Sequence, residues 1–162
     1  MFEKLSLKSR LLLIATVPIA VMMVLGISGA WEKYSDYQSR VQAETLINLV
    51  VELGETAHEL QKERGMSAGF LNSKGSKFAE NLTTQRKSSD AAITRLTESI
   101  RRLDPSTVGP RYIKLLDAAN EPLAELVKKR ELITRLFLEP GESFRFYSET
   151  ISQLLEISLR TG

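Results

Sequence analysis

Residues 46–71 read LINLVVELGETAHELQKERGMSAGFL, and the spacing of the apolar residues in this stretch decides the fold. Apolar or small residues recur four and three positions apart, and one arginine interrupts them: Leu46, Val50, Leu53, Ala57, Leu60, Arg64, Ser67 and Leu71. Such spacing is typical of the inward face of a helix in a bundle. The stretch therefore predicts a helix that carries an arginine on its buried side.

A second stripe with the same spacing also contains one arginine, and its members are Leu82, Arg86, Ser89, Ile93, Leu96, Ile100 and Leu103. Gly75 lies midway between Arg64 and Arg86. An antiparallel hairpin that turns at residues 72–77 would therefore place the two guanidinium groups at about the same height. Two inward cations at one level of a bundle need an anion, because an unpaired buried charge is very unfavourable. Arg64 and Arg86 are the predicted anion-binding residues, with Ser67 and Ser89 as supporting positions.

A third stripe repeats the pattern with Arg130, and its members are Tyr112, Leu116, Ala119, Leu123, Leu126, Arg130, Ile133 and Phe137. Counting back from the turn near residue 107 puts Arg130 at a height similar to that of Arg86. For Arg130 taken alone we favour a solvated position on the flank of the helix or an internal ion pair, so it is a supporting residue only. The last helix offers Tyr147 or Thr150 as hydroxyl donors near the same level.

Two glycines follow Arg64 inside this strong helical pattern, at Gly65 and Gly69. Each glycine in a helix interior costs about 1 kcal/mol relative to alanine, so a pair within five residues indicates a purpose. The small side chains either let a neighbouring helix pack closely or leave space beside the guanidinium group. A planar anion such as nitrate suits that group, because the fork of N–H donors matches two coplanar oxygens.

The pattern predicts four helices outside the N-terminal segment, at residues 32–71, 76–103, 110–138 and 142–160, and the first of them can be continuous with the segment at 11–31. Turns at residues 72–75, 104–110 and 139–141 separate them, and Gly75 is a candidate for the left-handed conformation that ends a helix. Pro122 is expected to kink or split the third helix. Short connections favour antiparallel neighbours, so the predicted fold class is all-α, an up-and-down antiparallel four-helix bundle.

Composition excludes several functions. The 162 residues include no cysteine and a single histidine, His58. This composition argues against a metal centre or a cofactor site built from cysteine and histidine, and against a catalytic relay. We therefore expect no catalytic residue and no metal, and a protein that is not an enzyme. Residues 1–10 carry a net charge of +2 and the rest of the chain carries none. Since no global field gathers phosphates, we expect no nucleic-acid partner.

Residues 11–31, LLLIATVPIAVMMVLGISGAW, contain no charged side chain. Roughly 20 such residues cross a bilayer as a helix, and the basic residues before them favour a cytoplasmic N-terminus. We predict a cytoplasmic segment at 1–10, a transmembrane helix at 11–31 in contact with lipid, and an extracytoplasmic domain at 32–162. A cleaved signal peptide is the alternative, although the apolar run is long for one. Gly26 and Ala30 suit contact with a second copy, and we expect a homodimer.

The run from His58 to Ile93, HELQKERGMSAGFLNSKGSKFAENLTTQRKSSDAAI, resembles the opening signature of the NIT domain, the nitrate- and nitrite-sensing domain of bacterial receptors. The matching elements are QKERG at 61–65, SAGFL at 67–71, QR at 85–86 and Asp90, and the segment from Tyr147 is similar to the end of the first half of that domain. The resemblance implies an all-helical sensor whose motif falls on Arg64 and Arg86, with Glu63 and Gln85 as orienting partners. Residues 2–25 also resemble the first membrane helix of a chemoreceptor, which implies the bacterial inner membrane and a periplasmic sensory domain.

The same resemblance implies that the chain holds only the first half of the domain, as part of a larger receptor. The residues themselves are also compatible with two other functions. One is a structural dimerisation or interaction bundle in which the arginines are paired internally. The other is a sensor of a different anion, such as a small carboxylate.

Overall fold

Four helices account for the regular structure of the described residues. The computed structural model describes the backbone of residues 7–106 and 108–160, and the side chains of residues 16, 19, 21–25, 37, 41–106 and 108–160. The helices are α1 (Leu7–Asn72), α2 (Ala79–Arg102), α3 (Pro110–Thr134) and α4 (Pro140–Leu159). The all-helical prediction is confirmed for this part of the chain. The first helix begins at Leu7, so it continues through residue 32, in agreement with the expected continuity with the preceding segment.

The chain divides into two compact units, residues 1–43 and 44–162, and the second contains the hydrophobic core. All four helices contribute to that core, whose most buried members include Leu53, Leu60, Leu96, Leu126, Ile133, Tyr147 and Leu154. In this unit α1 and α2 run antiparallel. Glu52 contacts Arg95, while Glu59, later on α1, contacts Gln85, which is earlier on α2. These two contacts match the predicted antiparallel hairpin.

The predicted stripes have the correct period, but on α1 and α2 the buried residue is the one before the predicted arginine. On α1 the inward position belongs to Glu63, which is 0% exposed, while Arg64 is only partly buried. On α2 the buried residue is likewise Gln85, and Arg86 is partly buried. Neighbouring positions on a helix differ by about 100° in direction, so each arginine projects from the flank of the face that packs inward.

The connection between α1 and α2 confirms the left-handed glycine. Gly75 has φ +81°, and its amide donates to the Phe70 carbonyl at 2.9 Å. Phe78 also has a positive φ, +67°, and α2 begins at Ala79 rather than at the predicted residue 76. A Cβ built on Gly69 would lie 2.7 Å from two atoms of the Phe78 ring. Gly69 therefore makes room for the aromatic ring that precedes α2.

The third helix starts at Pro110 as predicted, and Pro122 lies inside it without splitting it. It ends at Thr134, four residues before the predicted end. Leu136 has φ +57°, which breaks the helical pattern. For this reason Phe137, predicted to face inward, is 75% exposed, and Leu138 is buried instead.

One structural observation concerns the predicted membrane span at residues 11–31. Within the residues that the structure describes, none of the helices combines the length and apolar character that crossing a bilayer requires. Residues 1–6 of the predicted cytoplasmic segment, and most side chains of the predicted span at 11–31, lie outside the described residues.

Candidate functional site

A buried carboxylate forms the centre of the charged cluster in the second unit. Glu63 has no solvent exposure, and it lies on α1 between the core residues Leu60 and Ser67. The stripe predicted from the sequence put Arg64 at this place, with Glu63 beside it as a secondary residue. Since the helical spacing from Leu60 to Ser67 fits position 63 as well as 64, the pattern alone did not distinguish them.

Arg130 from α3 satisfies this carboxylate at two points. Its Nε and Nη2 atoms each donate to one carboxylate oxygen of Glu63, both at 2.7 Å. The remaining terminal nitrogen, Nη1, donates to Oδ1 of Asp90 on α2. Burial opposes the charge on Arg130, but the hydrogen bonds to Glu63 and Asp90 outweigh it and raise the pKa of the guanidinium. The predicted internal ion pair of Arg130 is thus present, with Glu63 as its partner.

Tyr147 brings α4 to the same carboxylate. Its hydroxyl donates to Oε1 of Glu63 at 2.8 Å, and its ring is completely buried. Burial, together with the negative charge of Glu63, raises the pKa of the Tyr147 phenol. The phenol is therefore held in its neutral, donating form. Of the two hydroxyl donors predicted on the last helix, Tyr147 reaches the cluster, while Thr150 donates to the Phe146 carbonyl in its own helix.

Arg86 approaches Glu63 without completing a hydrogen bond. Its Nε atom lies 3.7 Å from Oε1 of Glu63, is buried, and has no hydrogen-bond partner among the described residues. Its Nη1 donates to the Thr134 hydroxyl at 2.8 Å and its Nη2 to the Arg130 carbonyl at 3.2 Å. Both acceptors belong to the last turn of α3, where the helix dipole favours a cation.

Its electrostatic position distinguishes Arg86 from Arg130. Burial, with the positive charge of Arg130, lowers the pKa of the Arg86 guanidinium, although Glu63 acts in the opposite direction. Two of its described acceptors are neutral, and the nearest carboxylate is already bound by Arg130 and Tyr147. Arg86 is therefore the less well compensated cation of the pair.

Arg64 lies on the flank of α1 that faces α4. Its Nη1 donates to the Ser148 hydroxyl at 2.9 Å, and its guanidinium carbon lies 4.5 Å from the centre of the Phe144 ring. Among the side chains that the structure describes, no carboxylate forms a salt bridge with it. A Cβ built on the adjacent Gly65 would meet nothing within 4 Å, since Gly65 is exposed. Of the two explanations for the glycines, close packing fits Gly69.

Of the remaining predicted residues, Ser67 is wholly buried on α1, while Gln85 and Ser89 join α1 to α2. Gln85 donates from Nε2 to the Glu59 carbonyl at 3.1 Å and to its carboxylate at 2.5 Å. Hydrogen bonds from Lys62 and Gln85 lower the pKa of Glu59. The Ser89 hydroxyl donates to the Glu59 carbonyl on α1 at 3.4 Å and to the Gln85 carbonyl of its own helix at 3.2 Å. Both side chains hold the two helices together, and their described hydrogen bonds do not involve the arginines.

The structure therefore brings Glu63, Arg86 and Arg130 together, while the described contacts of Arg64 are with a different helix. Tyr147 was predicted as a donor, and Asp90 was part of the resembling motif. Thr134 was missed, although its place one helical turn after Arg130 was a readable signal. Within the described residues, no group of three His, Cys, Asp or Glu side chains is arranged to hold a metal ion.

Comparison with known proteins identifies the family. The family model NIT, described as nitrate and nitrite sensing, matches residues 55–162, and that match contains every charged residue of the cluster. The chain belongs to the NIT family. No curated protein matches the chain.

A solved structure supports the fold. The structure titled "Structure of the NasR transcription antiterminator" is similar with a TM-score of 0.64 at 22% sequence identity. The similarity covers 77% of this chain and 35% of the NasR chain. This chain thus spans about a third of the length of the solved structure that it matches.

Proposed function

We propose that this domain senses a small planar anion, nitrate or nitrite, through the guanidinium groups of Arg86 and Arg64. Membership of the NIT family supports the ligand class. The observation that carries the assignment to residues is the buried Nε of Arg86, which lies near charge but has no hydrogen-bond partner among the described residues. A guanidinium in that condition gains most from an added oxyanion, because charge-assisted hydrogen bonds are the strong ones.

Arg130 is a poor candidate for direct ligand binding. Its three nitrogens already donate to Glu63 and Asp90. An anion that took the place of Glu63 would have to displace a carboxylate that is wholly buried and also bound by Tyr147. We therefore give Arg130 the role of holding Glu63 in place, and leave the ligand to the other two arginines.

Arg64 has N–H donors for which no acceptor is described. A guanidinium carries five N–H donors, and one hydrogen bond is described for Arg64, to Ser148. The ring of Phe144 supports one face of the planar group, which favours a fixed orientation. The open space beside Gly65 is where we expect an anion to approach it.

Transmission of the signal is the second part of the proposal. The bounds of α1 include the uncharged segment at 11–31 as well as Glu63 and Arg64. We propose that residues 11–31 anchor the chain in the bacterial inner membrane, with the sensory domain in the periplasm and lipid and a second copy as partners. Anion binding would bias the position of α1 relative to its neighbours in an up-and-down four-helix bundle, as a small sliding or rotation.

The output module belongs to the proposal as well. We favour a chemoreceptor because residues 2–25 resemble the first membrane helix of one. The solved neighbour is a transcription antiterminator, so the fold is also found in a protein with a different output. For this chain the uncharged segment at 11–31 favours a membrane receptor over that alternative.

One observation favours a second function. The two-point ion pair between Glu63 and Arg130, with Tyr147 as a third donor, is an internally satisfied cluster that ties three helices together. Such a cluster suits a structural or interaction module with no small ligand. Arg86 and Arg64 decide between the two functions, since neither forms a two-point pair with a carboxylate in the described structure.

The test is the thermal unfolding of the full chain in detergent, with nitrate, nitrite, chloride, acetate and sulfate compared at constant ionic strength. A ligand that binds only the folded chain raises the midpoint. We expect a rise selective for nitrate or nitrite that is lost in Arg86→Gln and reduced in Arg64→Gln, and retained in Arg145→Gln, an exposed arginine on α4. Equal midpoints in all five anions for a cooperatively unfolding sample would support the structural module instead, and a rise with acetate would support a carboxylate sensor.

A further inference from the structure

We propose that Glu63 sets the charge of the anion that the site admits, so that singly charged oxyanions are accepted and doubly charged ones are rejected. This inference rests on the proposed function, because it concerns the anion that Arg86 would bind. It assigns to the buried carboxylate a specificity-determining role in addition to its role in packing.

Glu63 lies close to any anion that Arg86 holds through its free nitrogen. The Nε atom of Arg86 is 3.7 Å from Oε1 of Glu63. An oxygen that accepts from Nε at about 2.9 Å therefore lies less than about 7 Å from that carboxylate oxygen. Glu63 has no exposed surface, so water and salt screen the repulsion between the two negative groups poorly.

The carboxylate is also fixed where it is. Two nitrogens of Arg130 and the hydroxyl of Tyr147 donate to it, from two different helices. A flexible carboxylate would swing away from an arriving anion, but one held by three hydrogen bonds stays in place. Its repulsion is therefore a permanent feature of the site.

The charges of the surrounding residues give the expected limit. In the cluster itself Arg86 and Arg130 contribute two positive charges, and Glu63 and Asp90 contribute two negative ones, so the cluster is neutral before an anion binds. A nitrate ion adds one negative charge to it. A sulfate ion adds two beside a buried carboxylate, and like charges placed together oppose binding strongly.

The experiment measures the dissociation constants of nitrate and sulfate for the full chain in detergent, by calorimetric titration at constant ionic strength. Three variants each remove one carboxylate charge: Glu63→Gln, Asp90→Asn and Glu156→Gln. Glu156 is the matched control for Asp90, because it is similarly exposed and its ion pair, with Arg160 near the end of α4, lies outside the cluster.

We expect wild type to prefer nitrate, and Glu63→Gln to shift the ratio of the two constants toward sulfate by about tenfold or more. Asp90→Asn should shift it in the same direction by less, because Asp90 is more than half exposed and its charge is screened. Glu156→Gln should keep the wild-type ratio.

The outcomes separate this inference from the proposed function. Nitrate binding by wild type with an unchanged ratio in Glu63→Gln overturns the inference and leaves the function intact. If Glu63→Gln does not fold, Asp90→Asn decides, and a wild-type ratio in that variant overturns the inference. A wild-type chain that binds neither anion overturns both.

Discussion

Glu63 and Arg130 are 67 positions apart in the chain, and two nitrogens of the arginine donate to the two oxygens of the carboxylate at 2.7 Å. The pair joins α1 to α3 at a point where the carboxylate has no access to solvent. Burial of this kind makes the two charges depend on one another, because desolvation is tolerable only while both are present.

Removal of Arg130 alone should therefore be more damaging than removal of both charges. We expect Arg130→Met to lower the free energy of unfolding by about 3–5 kcal/mol, since it leaves a buried carboxylate with an incomplete set of donors. The double variant Glu63→Met, Arg130→Met should recover much of that loss, because apolar side chains of similar size suit a buried site. Urea denaturation of wild type, the two single variants and the double variant measures both effects. A double variant that is less stable than Arg130→Met would contradict this account.

The sequence was sufficient to predict that the described part of the chain is all-helical, because helical periodicity is a local property. It located Arg64, Arg86 and Arg130 on the correct sides of their helices to within one position. That one position decides which side chain is buried, and it separates Glu63 from Arg64. An error of 100° around the helix axis is invisible in a stripe where both assignments fit the spacing.

The partners within the site were less predictable. Thr134 and the Arg130 carbonyl accept from Arg86 because α3 ends there, and the positive φ of Leu136 follows directly. The sequence pattern continued the helix to residue 138, so it gave no reason to expect a helix end beside Arg86. The position of the end depends on how the turn packs rather than on local preference, which is why it was missed.

Tyr147→Phe should remove one donor from the buried carboxylate and leave the ring in place. A hydrogen bond to a charged group contributes about 1.5–3 kcal/mol, and we expect a loss of unfolding free energy in that range near neutral pH. The variant should also change the pH dependence. Burial and Glu63 raise the pKa of Tyr147, so its stabilising effect is complete below the ordinary tyrosine pKa of about 10 and is lost as pH rises above it.

The difference in unfolding free energy between wild type and Tyr147→Phe should therefore shrink in alkaline solution. Chemical denaturation between pH 8 and pH 11, values chosen to lie on both sides of about 10, measures it. Tyr37→Phe serves as the control, because that side chain is well exposed. A difference that stays constant across this interval would mean that the phenol is not held neutral by its surroundings.

The two glycines of the motif should respond in opposite ways to the same change. A Cβ on Gly65 meets nothing within 4 Å, so Gly65→Ala should stabilise α1 by about 0.5–1 kcal/mol through helix propensity alone. A Cβ on Gly69 meets the Phe78 ring at 2.7 Å, so Gly69→Ala should show no such gain. Adding Phe78→Ala to both variants should restore the gain at Gly69 only, as measured by thermal unfolding. Equal stabilisation by the two single variants would contradict the close packing of Gly69 against Phe78.

Thr134 provides the last prediction, because it holds the arginine that we assign to the ligand. Its hydroxyl accepts from Nη1 of Arg86 at 2.8 Å and donates to the Arg130 carbonyl at 2.8 Å. Thr134→Val keeps the shape of the side chain and removes both interactions, at an expected cost of about 1 kcal/mol in stability. If Arg86 binds the anion, the loss of this support should weaken nitrate binding several-fold, because a guanidinium that is free to move must be ordered on binding.

Thr97→Val is the matched control, since Thr97 donates to a carbonyl of its own helix in the same way, at 2.8 Å, and no arginine contact is described for its hydroxyl. Calorimetric titration with nitrate measures the effect. Equal nitrate affinity in wild type, Thr134→Val and Thr97→Val would separate Arg86 from ligand binding and leave it the single task of joining α2 to the end of α3.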